Sequence, residues 1–303
     1  AMNRNIEPKA FVVLLFGRSF NDSFRLHFRL LLARLEDHGA QIYFFEPFLD
    51  FVRESLEEEF SFSGSFTNSD DLPVNADYML SIGGDGTFLE AATIVRNKDI
   101  PIAGINAGRL GFLADIAQEE ISTAIDSISH GLYNTEERTL IQLRTDQELF
   151  GDFNFALNEL TVHKRDDSSM IKIKAFLDGE YLNTYWTDGL IVSTPTGSTA
   201  YSLSVGGPLV VPDANDFIIA PIAPHNLTVR PLVYPDRKEL TLQMEGRGGH
   251  ILVSLDSRSV VVESGLELKI SKAPFVVKTL RLKDHSFYNT LRTKLMWGAD
   301  KRN

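Results

Sequence analysis

A glycine-rich pentapeptide, Gly83-Gly84-Asp85-Gly86-Thr87, has the residue types of a phosphate-binding loop. Glycines let the backbone turn tightly and let phosphate oxygens approach it, because no Cβ stands in the way. A helix that follows offers backbone N–H donors and a partial positive charge at its N-terminus. Asp85 repels anions, so its carboxylate needs a separate use: to receive a proton from an attacking hydroxyl or to hold Mg²⁺. A plain tight turn, which also favours Gly and Asp, is the alternative.

A second segment, residues 188 to 208, is dense in hydroxyl groups. Asp188-Gly189 opens it, Ser193-Thr-Pro-Thr-Gly-Ser-Thr-Ala-Tyr-Ser202 is its centre, and Gly206-Gly207-Pro208 ends it. Hydroxyls and free backbone N–H groups suit the phosphates and sugars of a nucleotide, and the ring of Tyr201 suits a base. Asp188 has the chemistry to accept hydrogen bonds from a ribose or an adenine amino group. A solvated Ser/Thr loop has the same composition and is the alternative.

An amide and a carboxylate stand side by side at Asn158 and Glu159, at the start of an apolar run that predicts a β-strand. Such a pair binds the two hydroxyls of a ribose, although most polar pairs at strand ends are simply solvated. The histidines lack the paired spacing of a zinc site, and a structural role is the simpler interpretation of His225 in its proline-rich loop. The glycines of residues 106–113 do not match G-x-G-x-x-G, so we reject a dinucleotide fingerprint there.

Strand and helix patterns alternate through the first part of the chain. The alternation predicts a mostly parallel sheet with helices on its faces. The pentapeptide then follows the carboxyl end of a strand, which is where open α/β sheets bind ligands. The predicted strands are Phe11 to Phe16, Gln41 to Phe45, Tyr78 to Ile82 and Ile100 to Ile105, and the predicted helices are Asp22 to His38 and Phe88 to Arg96.

After about residue 137 the pattern changes to short β segments separated by turns, with Asp178-Gly179 as a hairpin signal. Strands are predicted at Leu190 to Ser193 and at Leu227 to Tyr234, with none between them. This pattern predicts a mainly antiparallel, sandwich-like β domain. We therefore predict an α/β nucleotide-binding domain over residues 1–136, completed by residues 273–303, and a β-rich domain over residues 137–272.

The composition excludes several classes of partner. Proteins that bind long nucleic acids usually carry a basic face, so a formal net charge of −11 predicts no nucleic-acid partner. No apolar run approaches the roughly 18 to 20 residues that cross a bilayer, so no membrane partner is predicted. The absence of cysteine excludes disulfides and thiolate chemistry and fits a cytoplasmic location.

Taken in order, these motifs resemble the signature of the NAD kinase family: Gly-Gly-Asp-Gly-Thr, Asn-x-Gly-x-Leu-Gly-Phe-Leu, Asn-Glu, and Asp-Gly followed by Thr-Pro-Thr-Gly-Ser-Thr-Ala-Tyr. They stand here at residues 83–87, 106–113, 158–159 and 188–201. The first motif alone is weak, since 6-phosphofructokinases and diacylglycerol or sphingosine kinases have close versions, but the last is far more specific. The family often has Asp-Gly-Gln where this chain has Asp256-Ser257-Arg258, so no ligand contact is predicted at that turn.

The resemblance implies phosphoryl transfer from ATP to the adenosine 2′-hydroxyl of NAD, with Asp85 as the catalytic proton acceptor. It also implies a divalent metal ion, Mg²⁺, on the donor phosphates, NAD binding by the β-rich domain, and a homo-oligomer, either a tetramer or a dimer. The implied phosphate-loop residues are Gly83, Gly84, Gly86 and Thr87, and the implied NAD-binding residues are Asp85, Gly86, Asn158, Glu159, Asp188, Thr196, Thr199, Ala200, Tyr201, Ser202 and Ser204.

Two other functions share parts of this sequence. A lipid or sugar kinase shares the first loop but not the second glycine-rich motif. A non-catalytic NAD(H)-binding regulator is expected to have lost the acidic residue of the first loop, and Asp85 is intact.

Overall fold

The computed structural model describes residues 11–165, 170–245 and 250–298. The chain forms two compact units. The first contains residues 1–136 together with residues 277–303, and the second contains residues 137–276.

The first unit is built on a parallel sheet whose strands alternate with helices. The strands pair in the order β3-β2-β1-β4-β5, and every pairing is parallel. All residues of β1 are buried, as expected for a central strand covered on both faces. The elements are β1 (Val12–Gly17), α1 (Arg25–Asp37), β2 (Gln41–Phe45), α2 (Glu46–Leu56), β3 (Gly64–Phe66), β4 (Tyr78–Gly83), α3 (Asp85–Val95), β5 (Ile102–Asn106) and α4 (Ile121–Ser129).

Helix α3 begins at Asp85, so the predicted start at Phe88 was wrong. Gly84 takes the extended N-cap position, and Asp85 and Gly86 already belong to the first turn. Glycine has a low helix propensity, and the first turn has no apolar residue before Phe88. The sequence pattern therefore did not indicate that the helix begins at Asp85. The consequence for the site is that Asp85 lies on a helix and not in a free loop.

The second unit consists mainly of antiparallel strands. One sheet has the order β13-β12-β11-β8-β15-β16, and a second set pairs as β10-β9-β14-β17, all antiparallel. The elements are β6 (Tyr133–Arg144), β7 (Phe155–Ala156), β8 (Glu159–Lys164), β9 (Ile171–Leu177), β10 (Glu180–Thr187), β11 (Gly189–Ser193), α5 (Tyr201–Ser204), β12 (Asp216–Ile222), β13 (Leu232–Pro235), β14 (Leu240–Glu245), β15 (His250–Leu255), β16 (Arg258–Glu263) and β17 (Glu267–Leu282).

Side chains from both sets of strands share one hydrophobic core in the second unit. Val162 and Phe217 come from the first sheet, Ile173 and Leu240 come from the second set, and all four are fully buried. Two layers of antiparallel strands around a common core form a sandwich-like arrangement. The predicted fold class, a mostly parallel α/β part followed by a mainly antiparallel β part, is confirmed.

Two details of the predicted strands were wrong. Strand β12 (Asp216–Ile222) lies inside its sheet between β11 and β13, where no strand was predicted. Strand β13 begins only at Leu232, five residues later than predicted. Prolines 212, 221 and 224 flank or interrupt the apolar run of β12, and proline in a sequence argues against a central strand.

The chain returns to the first unit through the last part of β17. Thr279 of this strand pairs with Ile102 of β5 in parallel register. Helix α6 (Phe287–Leu295) follows, and the Ser286 side chain caps it by accepting the N–H of Asn289. In the described residues, no helix has both the length and the apolar character needed to cross a bilayer.

Candidate active site

Asp85 is held by three consecutive backbone N–H groups of another segment. Its Oδ2 accepts the N–H of Phe112 at 2.9 Å, and its Oδ1 accepts those of Leu113 at 3.0 Å and Ala114 at 2.9 Å. Hydrogen bonds to a carboxylate are stronger than those between neutral groups. The carboxylate is therefore fixed in one orientation at the first turn of α3.

The close approach of this segment depends on Gly111. A Cβ at this position would lie 1.8 Å from Asp85 Oδ1, so the carboxylate occupies the space that any side chain needs. Residues 106–113, rejected above as a dinucleotide fingerprint, thus serve to orient Asp85. The signal for this contact was present as the glycine spacing, but nothing in the sequence linked it to Asp85.

Lys294, near the end of α6, is the cation nearest to this carboxylate among the contacts described. Its Nζ lies 3.8 Å from Asp85 Oδ2. The same ammonium lies 4.7 Å from the centroid of the Phe112 ring, within cation–π range. Sequence patterns gave no reason to connect Lys294 with Asp85.

A buried ionic network holds the far end of the segment that binds Asp85. The Arg281 guanidinium donates to Asp115 at 3.0 Å, to Glu136 at 2.9 Å and to the Phe112 carbonyl at 3.3 Å. His285 also contacts Asp115, and this hydrogen bond is the main cause that raises the pKa of His285 above its usual value. Arg281 thus contacts both ends of the 112–115 segment, through the Phe112 carbonyl and the Asp115 carboxylate.

In the second unit, Asn158 and Glu159 lie at the beginning of β8 and are held by a second carboxylate. Asp256 accepts the backbone N–H groups of Leu157 at 2.8 Å, Asn158 at 2.8 Å and Glu159 at 3.1 Å. Asp256 lies in the turn between β15 and β16 with a positive φ of 52°. The Asp256-Ser257-Arg258 turn, for which no ligand contact was predicted, therefore positions Asn158 and Glu159.

Arg258 connects the same turn to residues 153–155. Its guanidinium donates to the carbonyl oxygens of Phe153, at 2.5 Å, and Phe155. The guanidinium also lies 5.0 Å from the Phe153 ring centroid. Arginine carries several donors in a rigid plane, so it is well suited to bridging two carbonyls. Both charged residues of the Asp256-Ser257-Arg258 turn therefore bind backbone groups of residues 153–159.

The Glu159 side chain is buried, and its Oε2 has no hydrogen-bond partner among the described residues. Burial, followed by the nearby charge of Asp256, raises the pKa of Glu159 from 4.5 to about 8. The backbone N–H of Tyr201 acts in the opposite direction by bonding to the carboxylate. Glu159 is therefore mostly protonated at neutral pH, and its Oε2 is an unusual buried oxygen without a hydrogen bond to the described residues.

The hydroxyl-rich segment packs directly against Asn158. Thr194 donates its N–H to the Asn158 carbonyl at 2.9 Å. At Gly197 a Cβ would lie 2.1 Å from the same oxygen, so the close packing requires glycine. The segment forms a 3-10 turn over Thr196–Thr199 and then α5. The structure therefore brings Asn158, Glu159 and the 196–204 segment together.

The exposure of the predicted NAD-binding residues differs along this segment. Thr196 and Ser202 are buried, Thr199, Ala200 and Tyr201 are half-buried, and Ser204 is exposed. The Ser202 Oγ is buried with no partner among the described residues and faces Gly207. An unpaired buried hydroxyl is unusual in a folded protein.

Asp188 and Tyr201 each pair with a residue of β8 that sequence reasoning missed. Lys164 Nζ lies 2.8 Å from the Asp188 carboxylate. The His163 ring lies parallel to the Tyr201 ring at a centroid distance of 5.9 Å, and its Nε2 is 3.0 Å from the Tyr201 hydroxyl. Burial lowers the pKa of His163, which favours the neutral imidazole. The first four residues of β8 are buried and His163 and Lys164 are half-buried, so no alternation along the strand singled these two residues out.

The candidate residues form two groups. Gly83, Gly84, Asp85, Gly86 and Thr87 belong to the first unit, whereas the predicted residues from Asn158 to Ser204 belong to the second. Within the described ranges, no three His, Cys, Asp or Glu side chains cluster as a metal site would require.

Two family models match the chain. The model described as the ATP-NAD kinase N-terminal domain matches residues 62–133, and the ATP-NAD kinase C-terminal domain matches residues 157–282. A NAD kinase from Cytophaga hutchinsonii is 48% identical over 292 residues, which are 96% of this chain and 100% of that protein. A NAD kinase from Flavobacterium psychrophilum is 45% identical over 293 residues, or 96% of this chain and 99% of that protein.

Solved structures share the fold. A crystal structure of an NAD kinase from Archaeoglobus fulgidus in complex with ATP matches with a TM-score of 0.70 and 26% identity, covering 94% of this chain and 99% of that one. Yeast NADH kinase complexed with NADH matches with a TM-score of 0.84, covering 96% of this chain and 89% of that one. Its identity is 20%, so this second likeness concerns the fold alone.

Proposed function

This chain belongs to the NAD kinase family and is a phosphotransferase, and we propose that it transfers the γ-phosphoryl group of ATP to the adenosine 2′-hydroxyl of NAD, producing NADP and ADP. The observation that carries the proposal is the Asp85 carboxylate, oriented at the first turn of α3 by three backbone N–H groups. A fixed carboxylate next to a glycine-rich turn suits a base in a reaction that depends mainly on positioning.

Asp85 acts on the hydroxyl through Oδ2. A carboxylate has about four acceptor positions, two on each oxygen. Leu113 and Ala114 occupy both positions on Oδ1, whereas Phe112 occupies one on Oδ2. The remaining position on Oδ2 is therefore the one that accepts the 2′-hydroxyl of NAD.

The transfer forms one bond to phosphorus, breaks another and moves one proton. The 2′-oxygen forms a bond to the γ-phosphorus, and the bond from this phosphorus to the bridging oxygen breaks, with its electron pair leaving on ADP. The hydroxyl proton passes to Asp85 and from there to water. Because the transition state is loose, Asp85 accepts the proton as the new bond forms, and such a base contributes about 10²- to 10⁴-fold.

The ribose hydroxyls of NAD bind to the Asn158 amide and the Glu159 carboxyl. The unpaired, buried Oε2 of Glu159 supports this assignment, since a buried oxygen gains a partner when a ribose hydroxyl arrives. Asp188, which already pairs with Lys164, accepts a further hydrogen bond from the nucleotide. The other NAD-binding residues in this proposal are Asp85, Gly86, Thr196, Thr199, Ala200, Tyr201, Ser202 and Ser204.

The phosphates of ATP approach Gly83, Gly84, Gly86 and Thr87, where the backbone N–H groups at the start of α3 favour anions. A divalent ion, Mg²⁺, accompanies ATP; magnesium usually binds substrate phosphates and only one or two carboxylates. The glycine-rich turn offers one carboxylate, Asp85, which is consistent with an ion held mainly by phosphate oxygens. The ion supplies charge neutralisation on the phosphates when it is bound.

The enzyme acts as a homo-oligomer, a dimer or tetramer, in the cytoplasm. Leu232 and Val233 on the edge strand β13 are 39% and 41% exposed, and exposed apolar edges favour association with another chain. The absence of cysteine fits that location. Analytical ultracentrifugation tests the oligomeric state, and a monomer would contradict the first statement. Cell fractionation tests the location, and a membrane-bound protein would contradict the second.

The reaction is tested by incubating the purified protein with ATP, Mg²⁺ and NAD and measuring NADP with an NADP-specific dehydrogenase. We expect NADP to form in proportion to enzyme and to depend on added Mg²⁺. No NADP, with NAD binding still detected by calorimetry, would favour a non-catalytic regulator. Phosphorylation of a lipid or sugar but not of NAD in a panel of acceptors would favour a kinase of another class.

A further inference from the structure

The Lys294 ammonium group lies near Oδ2 of Asp85, the oxygen that we propose accepts the hydroxyl proton. Its Nζ lies 3.8 Å from Oδ2, the oxygen that retains a free acceptor position. The lysine side chain as a whole is 32% exposed. Helix α6 thus places a positive charge beside the carboxylate of the proposed base.

This contact differs from an ordinary ion pair. A separation of 3.8 Å exceeds hydrogen-bonding distance, so Asp85 does not use the ammonium donors. The ammonium is held instead over the Phe112 ring at 4.7 Å, and the backbone N–H of this same Phe112 bonds to Asp85. Phe112 therefore fixes the lysine relative to the carboxylate and leaves the ammonium N–H groups available to a ligand.

A cation is needed at this position. Asp85 carries a negative charge at the place where the triphosphate of ATP must arrive, so the two repel each other. The N–H bonds to Asp85 come from neutral backbone groups, which reduce this repulsion only in part. A positive charge beside Oδ2 reduces the repulsion between Asp85 and the triphosphate. It also stabilises negative charge that develops on the phosphoryl oxygens during transfer.

The distances permit direct contact with the transferred group. A base lies about 2.6 to 3.2 Å from the hydroxyl oxygen, and this oxygen lies about 3 to 3.5 Å from the phosphorus before attack. The γ-phosphorus is therefore no more than about 7 Å from Asp85 Oδ2. Its oxygens come within reach of Lys294, because the lysine Nζ lies 3.8 Å from the same Oδ2.

We propose that Lys294 is a second catalytic residue, whose ammonium binds the γ-phosphoryl oxygens of ATP and stabilises their charge during transfer. This inference rests on the proposed function, because it assumes that Asp85 accepts the proton of the attacking hydroxyl. The expected ligand is a nucleoside triphosphate, and the expected effect concerns ATP and not NAD.

The test compares Lys294→Met, Lys294→Arg and Arg292→Met in the full-length protein. Methionine keeps an unbranched apolar side chain against Phe112 but removes the charge, whereas arginine keeps the charge. Arg292 is an exposed residue two positions away on α6, so its substitution controls for the loss of one positive charge. For each variant, kcat, KM for ATP, KM for NAD and Tm are measured.

We expect Lys294→Met to lower kcat/KM for ATP by about 10²-fold, the usual effect of losing one charge-stabilising donor. The KM for NAD and the Tm stay near the wild-type values, Lys294→Arg recovers much of the loss, and Arg292→Met matches the wild type. Equal kcat/KM for ATP in Lys294→Met and wild type would overturn the proposal. So would an arginine variant as impaired as the methionine variant at unchanged Tm.

The design separates this inference from the proposed function. If the wild-type protein forms no NADP, the function itself fails. If the wild type is active and Lys294→Met is equally active, only the role of Lys294 fails. If Lys294→Met proves unstable, Lys294→Arg is compared with Lys294→Gln at matched Tm, and equal kcat/KM for ATP in those two variants contradicts the proposal.

Discussion

The Asp256 carboxylate accepts the backbone N–H of Asn158 at 2.8 Å, although 98 residues separate the two along the chain. Asp256 binds three consecutive N–H groups in this way, and Asp85 binds three consecutive N–H groups of residues 112–114. In the first case the carboxylate positions the segment that contains Asn158 and Glu159, whereas in the second the 112–114 segment positions the carboxylate. Each of the two units thus uses the same device to fix the residues that we assign to the reaction.

Asp85→Asn is expected to lower kcat by at least about 10²-fold, because an amide does not accept the hydroxyl proton. NAD binding persists, since Asn158 and Glu159 are unchanged. Steady-state NADP formation and NAD calorimetry measure the two quantities. An Asp85→Asn enzyme with wild-type kcat would falsify the assignment of Asp85 as the base.

Gly111→Ala is expected to reduce activity by more than about tenfold, because its Cβ would need the space of Asp85 Oδ1, 1.8 Å away. The carboxylate must turn, and its three N–H bonds then lose their geometry. Gly108→Ala is the matched control in the same segment, since a Cβ there meets nothing within 4 Å. Comparable kcat values for the two variants would contradict the steric explanation.

Asp256→Asn is expected to raise KM for NAD about tenfold and to leave KM for ATP near its wild-type value. The amide nitrogen would face the N–H of Leu157 or those of Asn158 and Glu159, and an unsatisfied buried donor costs about 1–3 kcal/mol. Asp178→Asn is the control, because Asp178 also has a positive φ and accepts one backbone N–H, from Glu239, but is exposed. Steady-state kinetics with NAD and ATP varied in turn measure the two KM values. An unchanged KM for NAD in Asp256→Asn argues against a positioning role of Asp256.

The stability of the ligand-free protein is expected to fall as pH rises, partly because of Glu159. Burial raises the pKa of Glu159 from 4.5 to about 8, so the folded state holds this proton more tightly than the unfolded state. The contribution to stability is complete below pH 4.5 and is lost as pH rises towards about 8. The sign is opposite to that of a salt-bridged carboxylate.

Thermal unfolding of the wild type and of Glu159→Gln at a series of pH values between 4.5 and 8 measures this effect. Glutamine has the same shape and cannot ionise, so we expect its Tm to change less over this interval than that of the wild type. Glu137→Gln, at an exposed position, is the control and should follow the wild type. Parallel Tm curves for the wild type and Glu159→Gln would rule out ionisation of Glu159 as the cause.

The prediction of the fold succeeded where local pattern decides structure. The apolar residues Phe28, Leu31, Leu32 and Leu35 recur at helical spacing and are the buried face of α1. It failed at β12, an interior strand between β13 and β11, because the prolines in and around its apolar run argue against a strand. Propensity is a local quantity, and burial between two other strands overrides it.

The sequence alone determined the alternation of strands and helices, the change to antiparallel strands, and the motifs that indicate a nucleotide phosphotransferase. These properties depend on residue types at short separations, which a linear pattern records. Only the tertiary structure decided that Phe112, Leu113 and Ala114 orient Asp85, that Asp256 orients Asn158, and that Lys294 lies beside Asp85. Such contacts join residues far apart in the chain, and their geometry is set by how the sheets and helices pack, because a hydrogen bond requires two atoms within about 3 Å of each other.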